Sequence, residues 1–238
     1  MAFLVCGWLC GESGLQKLGL GGIHPLTQRY IMMEFIDMEA EKLRDESNVN
    51  QPDPRWANYT LTDEHGDSRQ ITFEDFITPI KEVKLSENVP KDVVIHFETA
   101  KNLAVYSWFV YRFMPVSKLH AYTSIEFALR LKTGNDKKPF SKLLKQVAAE
   151  GWFKNEKFSR WQQVTERNRQ NYIEDRNVAA LMNVEPPEEP EYWDYVNVIT
   201  ETIPYFRNHF AHGSATIFPD RYSSLIVASE LINQIFEQ

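Results

Sequence analysis

The chain has 238 residues, 43% hydrophobic and 25% charged, which excludes fibrous and wholly disordered classes and suits one main core with an accessory segment. Its only cysteines, Cys6 and Cys10, lie near one end, too few for a disulfide framework or a two-pair zinc site, and point to a reducing cytoplasmic setting. The net charge of −7 is uneven: residues 1 to 100 hold 9 Lys or Arg against 17 Asp or Glu, residues 101 to 176 hold 15 against 7, and residues 177 to 238 hold 2 against 9. A basic middle in an acidic chain can steer a phosphate backbone to one face, or it can be a solvated helical face paired with its acidic flanks.

Residues 1 to 31 read as a flexible tail, because the apolar start lacks a positively charged leader and is interrupted by glycine. Lys101, Arg112 and Lys118 break the most apolar region, so no membrane-spanning helix and no membrane partner are expected. Residues 32 to 46 have helix formers at amphipathic spacing, and the two prolines of "NVNQPDPRW" then mark a loop. Alternation at Tyr59 and Leu61, a turn at His65-Gly66-Asp67, and alternation at Ile71 and Phe73 predict a β-hairpin. Residues 32 to 90 thus form a small α/β segment whose hairpin needs a larger partner to pack on.

From residue 91 the spacing is helical. Val94, Phe97, Trp108, Tyr111 and Met114 predict one long helix over 91 to 114, stopped before Pro115. A second helix over 116 to 132 carries Leu119, Tyr122, Ile125 and Leu129 and ends near Gly134. A third has Phe140, Leu143, Leu144 and Val147 on one side and stops at Gly151. Residues 154 to 180 are helix-like but very polar, with Arg160, Arg167, Arg169 and Arg176 interleaved with Trp161 and Tyr172, either an RNA-contacting surface or a solvated helix. After a proline-rich loop, residues 191 to 212 are helical, interrupted or restarted at Pro204, and 221 to 237 close the chain with Leu225, Ile232 and Phe236 in register. The fold class is mainly α, a bundle of about five helices over 91 to 238 preceded by the α/β segment.

Chemistry concentrates in "TIPYFRNHFAHGSA", residues 202 to 215. By chance a chain of this makeup holds on the order of 0.3 Arg-x4-His pairs, so spacing alone decides nothing. Context decides more. Side chains rotate by about 100° per residue, which groups Ile199, Ile203, Phe206 and Phe210 as a core stripe and sets Asn208 and His212 on the opposite side, with Arg207 at the flank. Gly213 suits a left-handed helix terminus, which places His212 in the last turn, where the helix dipole favours an imidazolium. Histidine exchanges protons near neutral pH, and an arginine beside it offers a fork for phosphate oxygens. These two groups suffice for metal-independent RNA cleavage, in which a 2′-hydroxyl attacks the neighbouring phosphate, histidine moves a proton and arginine stabilises the charge on phosphorus.

"FRNHFAHG" resembles the signature of the HEPN superfamily, an arginine followed by a polar residue and then by a histidine four to six residues on, late in an α-helical bundle. "SIEFALRLK" and "FSKLLKQVAAEGWF" are similar to the preceding helices of such domains, so the resemblance covers about residues 91 to 238. It implies a homodimer in which both motifs line one cleft, acting without metal or cofactor as an endoribonuclease in toxin, antiphage or RNA-processing systems, with an antitoxin or regulatory protein as a possible partner. Arg207 and His212 would then be catalytic and Asn208 a polar support. A tyrosine two residues after the histidine, found in one toxin subgroup, is absent here, where Ser214 stands.

Other readings of these residues stand beside that one. Arg207 and His212 also fit a plain helix end, and members of the superfamily that keep the fold without activity point to a silent module binding a protein or nucleic acid. His209 and His212 share i, i+3 spacing, yet no third metal ligand is evident, and His209 is expected to border the core. Glu126 interrupts an apolar stripe; a structural ion pair is preferred for it over orienting a motif residue, and it is left out of the catalytic set.

Overall fold

The computed structural model describes residues 41–62, 65–191, 193–213 and 222–237, and among these the fold is mainly helical, with seven α-helices and one two-stranded antiparallel hairpin. The hairpin strands are β1 (Thr60–Thr62) and β2 (Ser68–Gln70). The helices are α1 (Phe73–Glu82), α2 (Lys91–Tyr106), α3 (Phe113–Thr133), α4 (Phe140–Ala149), α5 (Ser159–Met182), α6 (Tyr195–Ala211) and α7 (Ser223–Phe236). None of the helices is long and apolar enough to cross a membrane. One contiguous core runs from Trp56 to Ile235.

Helix α3 lies at the centre, against α2, α6 and α7. Its buried residues are Met114, Ser117, Lys118, Ala121, Ser124, Ile125, Ala128 and Leu129, half of them small side chains that let neighbouring helices approach. The larger Leu119 and Tyr122, placed on the stripe by spacing, are only half-buried. At the α2–α3 contact the imidazoles of His96 and His120 stack with centroids 4.1 Å apart, and His96 Nδ1 shares a 2.8 Å hydrogen bond with Ser124 Oγ.

The single helix expected over 91 to 114 is broken. α2 ends at Tyr106, and a turn over 107 to 112 precedes α3, whose first turn accommodates Pro115 because no amide hydrogen is needed there. The break swings Trp108 and Tyr111 onto Trp56, whose ring stacks on Trp108 at 6.1 Å and meets Phe76 edge-on at 4.9 Å. Asp53, its side chain 1% exposed, fixes the turn: its carboxylate accepts the Tyr111 amide at 3.2 Å and pairs with Arg55 at 2.7 Å. Burial pushes the Asp53 pKa up, but hydrogen bonds from Arg55 and from the Tyr111 amide outweigh it and hold the group below its ordinary value.

Helix α1 has no counterpart in the expected elements. Thr72 and Asp75 form a reciprocal cap at its start, and Phe76 and Ile80 face the core. The hairpin forms in the register Thr60↔Gln70, with Gly66 at φ +88° in its turn, but all six strand residues are exposed and the flanks, Ile71 and half-buried Tyr59, attach it to the core. Of the helix expected over 32 to 46, residues 41 to 46 are turn and irregular backbone, and the remainder, like the tail read over 1 to 31, lies outside the described residues.

Helix α7 is buried nearly all round and also holds the starts of other segments. Glu230 accepts the Ser159 amide at 2.9 Å, Asn233 the Ser86 amide at 2.8 Å, and Gln234 the Lys154 amide at 2.8 Å. Burial pushes the Glu230 pKa up, partly offset by the Ser159 hydrogen bonds.

Two outcomes follow from these contacts. Asp53→Ala leaves the Tyr111 amide without its acceptor and Arg55 with Glu41 as its remaining carboxylate, and urea unfolding should show a loss of about 3 kcal/mol, with Asp53→Asn losing less. Burial holds both His96 and His120 below their ordinary pKa, aided for His120 by the charge of His96. The folded chain thus resists protons that the unfolded chain accepts, so their contribution is unchanged above about pH 6.5 and stability falls as pH drops below it. His96→Gln should flatten that decline in unfolding midpoints measured between pH 7 and pH 5.

Candidate active site on helix α6

Helix α6 starts where the Asp194 carboxylate accepts the Asn197 amide at 3.1 Å, and runs unbroken through Pro204. The interruption expected at Pro204 does not occur: the helix continues through it, with Pro204 buried and one backbone hydrogen bond lost for want of its amide hydrogen. Ile199, Ile203 and Phe206 are buried and Phe210 is half-buried, which is the stripe read from the wheel. Gly213 takes φ +84°, with His212 as the last helical cap.

The three candidate residues are thereby set apart from the core, but they do not converge within one chain. Asn208 and His212 are exposed. Arg207 turns instead to α3: its Nη2 donates to Glu126 Oε2 at 2.9 Å, and Nη1 donates to Asn208 Oδ1 at 3.2 Å. Its side chain is 32% exposed, and its buried Nε has no hydrogen-bond partner among the described residues. No hydrogen bond joins Arg207 to His212 among the described residues.

Glu126, which the preferred sequence reading kept outside the site, is the residue that Arg207 contacts. Its side chain is 12% exposed, and its other oxygen accepts Arg130 Nη2 at 2.7 Å. Arg130 in turn donates to the Asp136 carbonyl at 2.6 Å, which ties the end of α3 to the following loop. One carboxylate thus bridges two guanidinium groups, leaving a net positive charge beside α6. Glu126 is both a structural ion-pair partner and the group that sets where Arg207 points. Its signal in the sequence was a lone acid within an apolar stripe, with Arg130 four residues on at the spacing of a helical ion pair; the loop carbonyl that Arg130 also reaches left no such signal.

His209 is half-buried, its ring parallel to that of Tyr205. Among the described residues no three His, Cys, Asp or Glu side chains are grouped to hold a metal ion. Helix α5 buries only Val164 and Ala179; Arg169 pairs with Glu166 at 2.9 Å, and the Arg176 guanidinium lies 5.9 Å from the Tyr172 ring centroid, while Arg167 is exposed. No protein-family model, no curated protein and no solved structure matches the chain.

The Glu126–Arg207 contact is measurable. A double-mutant cycle with Glu126→Gln and Arg207→Gln, followed by urea unfolding, should give a coupling of about 1 kcal/mol, whereas additive losses would show that the contact contributes nothing to stability.

Proposed function

We propose that the chain is a metal-independent endoribonuclease of the HEPN type, working as a homodimer in the cytoplasm in a defence, toxin or RNA-processing role, with an antitoxin or regulatory protein as a further partner. The observation that carries this reading is that α6 turns Arg207, Asn208 and His212 off its core stripe, at a helix end closed by Gly213. Arg207 would bind the phosphate through the N–H groups not engaged by Glu126, and Asn208 would hold the guanidinium from the other side. His212 would take the proton of the RNA 2′-hydroxyl as its oxygen bonds to phosphorus. The P–O5′ bond then breaks, and the leaving oxygen takes a proton from a second histidine, that of the partner copy. The products are a 2′,3′-cyclic phosphate and a 5′-hydroxyl, with arginine stabilising the charge on phosphorus in between.

A second reading has its own support. The closed Arg207–Glu126 pair is also what a catalytically silent module would keep as a structural ion pair. The two readings separate on structured and single-stranded RNA incubated, with and without EDTA, with wild type, Arg207→Ala and His212→Ala. Cleavage by wild type to 2′,3′-cyclic ends, reduced on the order of 100-fold or more in both variants, supports the enzyme. Intact RNA throughout favours the silent module, equal cleavage by wild type and His212→Ala removes the site, and loss of cleavage on adding EDTA points to a metal-dependent hydrolase.

A further inference from the structure

Helix α6 carries two aromatic rings that neither the core nor the Arg207–His212 pair uses. Tyr205 is 56% exposed, and its hydroxyl makes no hydrogen bond among the described residues. Its ring lies parallel to the His209 imidazole, with 8° between the planes and 6.0 Å between centroids. At that separation nothing slides between them, and the two rings form one stepped, flat ledge. The ledge is propped from the core side: Tyr205 meets Phe206 edge-on at 5.3 Å, and His209 meets Phe210 edge-on at 5.7 Å.

The position of the ledge is as informative as its flatness. His212 lies seven positions after Tyr205, which at about 100° and 1.5 Å per residue puts them on the same face of the helix, about 10 Å apart along its axis, with Asn208 between them. One turn before Tyr205, Glu201 is paired with Lys145 at 2.5 Å, so the carboxylate on that face is countered by a cation. An exposed, rigidly backed ring beside a phosphate-handling group is the arrangement by which proteins hold unpaired bases, since every base has a stacking face.

We propose that Tyr205 and His209 form a stacking platform for an unpaired RNA base next to the phosphate handled at His212; this rests on the ribonuclease reading of that site. It assigns the substrate as single-stranded or looped RNA, and Tyr205 as a substrate-binding residue.

A 2′-O-methyl oligoribonucleotide carrying 2-aminopurine tests this with the full chain, because it has no free 2′-hydroxyl to react and its fluorescence falls when the base stacks. Wild type and Tyr205→Phe should quench it alike, whereas Tyr205→Ala should lose the quenching and bind about 10-fold more weakly. Tyr106→Ala, which removes an equally exposed tyrosine from α2, should behave as wild type. Wild-type quenching and affinity in Tyr205→Ala would overturn the platform, as would failure of wild type to bind the oligonucleotide. So would a delayed elution of Tyr205→Ala with binding restored at higher protein concentration, which makes Tyr205 a self-association residue. Cleavage of unmodified RNA that needs His212 but not Tyr205 would sink the platform alone. Tyr205-dependent quenching by a protein that cleaves no RNA would support the platform and remove the ribonuclease reading.

Discussion

The close approach of α3 to its neighbours is the constraint on which the helical arrangement depends. Ser117, Ala121, Ser124 and Ala128 present little bulk on its buried face, so α2, α6 and α7 can all pack against one helix. A larger side chain at any of these positions would force α3 away from the helix packed there. Glu126 lies at the rim of the same helix, and its ion pair with Arg207 carries the placement of α3 over to the candidate site. The site therefore inherits its geometry from core packing rather than from a loop.

Helix α7 supplies the second tie. Its apolar residues fill the core, while Glu230, Asn233 and Gln234 accept the amides of Ser159, Ser86 and Lys154. Each amide would otherwise have to find its own acceptor, at a cost of about 1–3 kcal/mol if it is left buried and unpaired. The fold thus closes only when the last helix is in place, and sequence-distant segments are held by a short run of side chains near its end.

Much of this plan was legible because helix ends carry local chemistry. Gly134, Gly151 and Gly213 each stand where a helix stops, with positive φ, and the apolar spacing between them marked α3, α4 and α6. The break between α2 and α3 was not legible, since Trp108, Tyr111 and Met114 keep helical spacing whether the backbone is helical or turned. What decides it is Asp53, far away in sequence, drawing the turn to itself. Helix α1 was hidden behind Pro79, although its Thr72 and Asp75 cap is a local signal. At the site, the outward placement of Asn208 and His212 followed from the wheel, but the direction of Arg207 did not, because it is set by a carboxylate on another helix.

That direction bears on how the chemistry could be assembled. Arg207 and His212 are five residues apart, so at about 100° and 1.5 Å per residue they stand roughly 140° apart around the axis and 7.5 Å apart along it. With the guanidinium fastened to Glu126, bringing both groups of one chain to a single phosphate requires Arg207 to leave its carboxylate, and that leaves Glu126 only Arg130 as an ion-pair partner. A second copy avoids this, because a two-fold arrangement can set His212 of one chain opposite Arg207 of the other without disturbing either ion pair. On the ribonuclease reading it would also supply the second histidine, to protonate the leaving oxygen. On the ribonuclease reading, then, the Glu126–Arg207 contact is the reason that one chain is not enough, and the same contact keeps the guanidinium ordered for the phosphate that the partner's histidine presents.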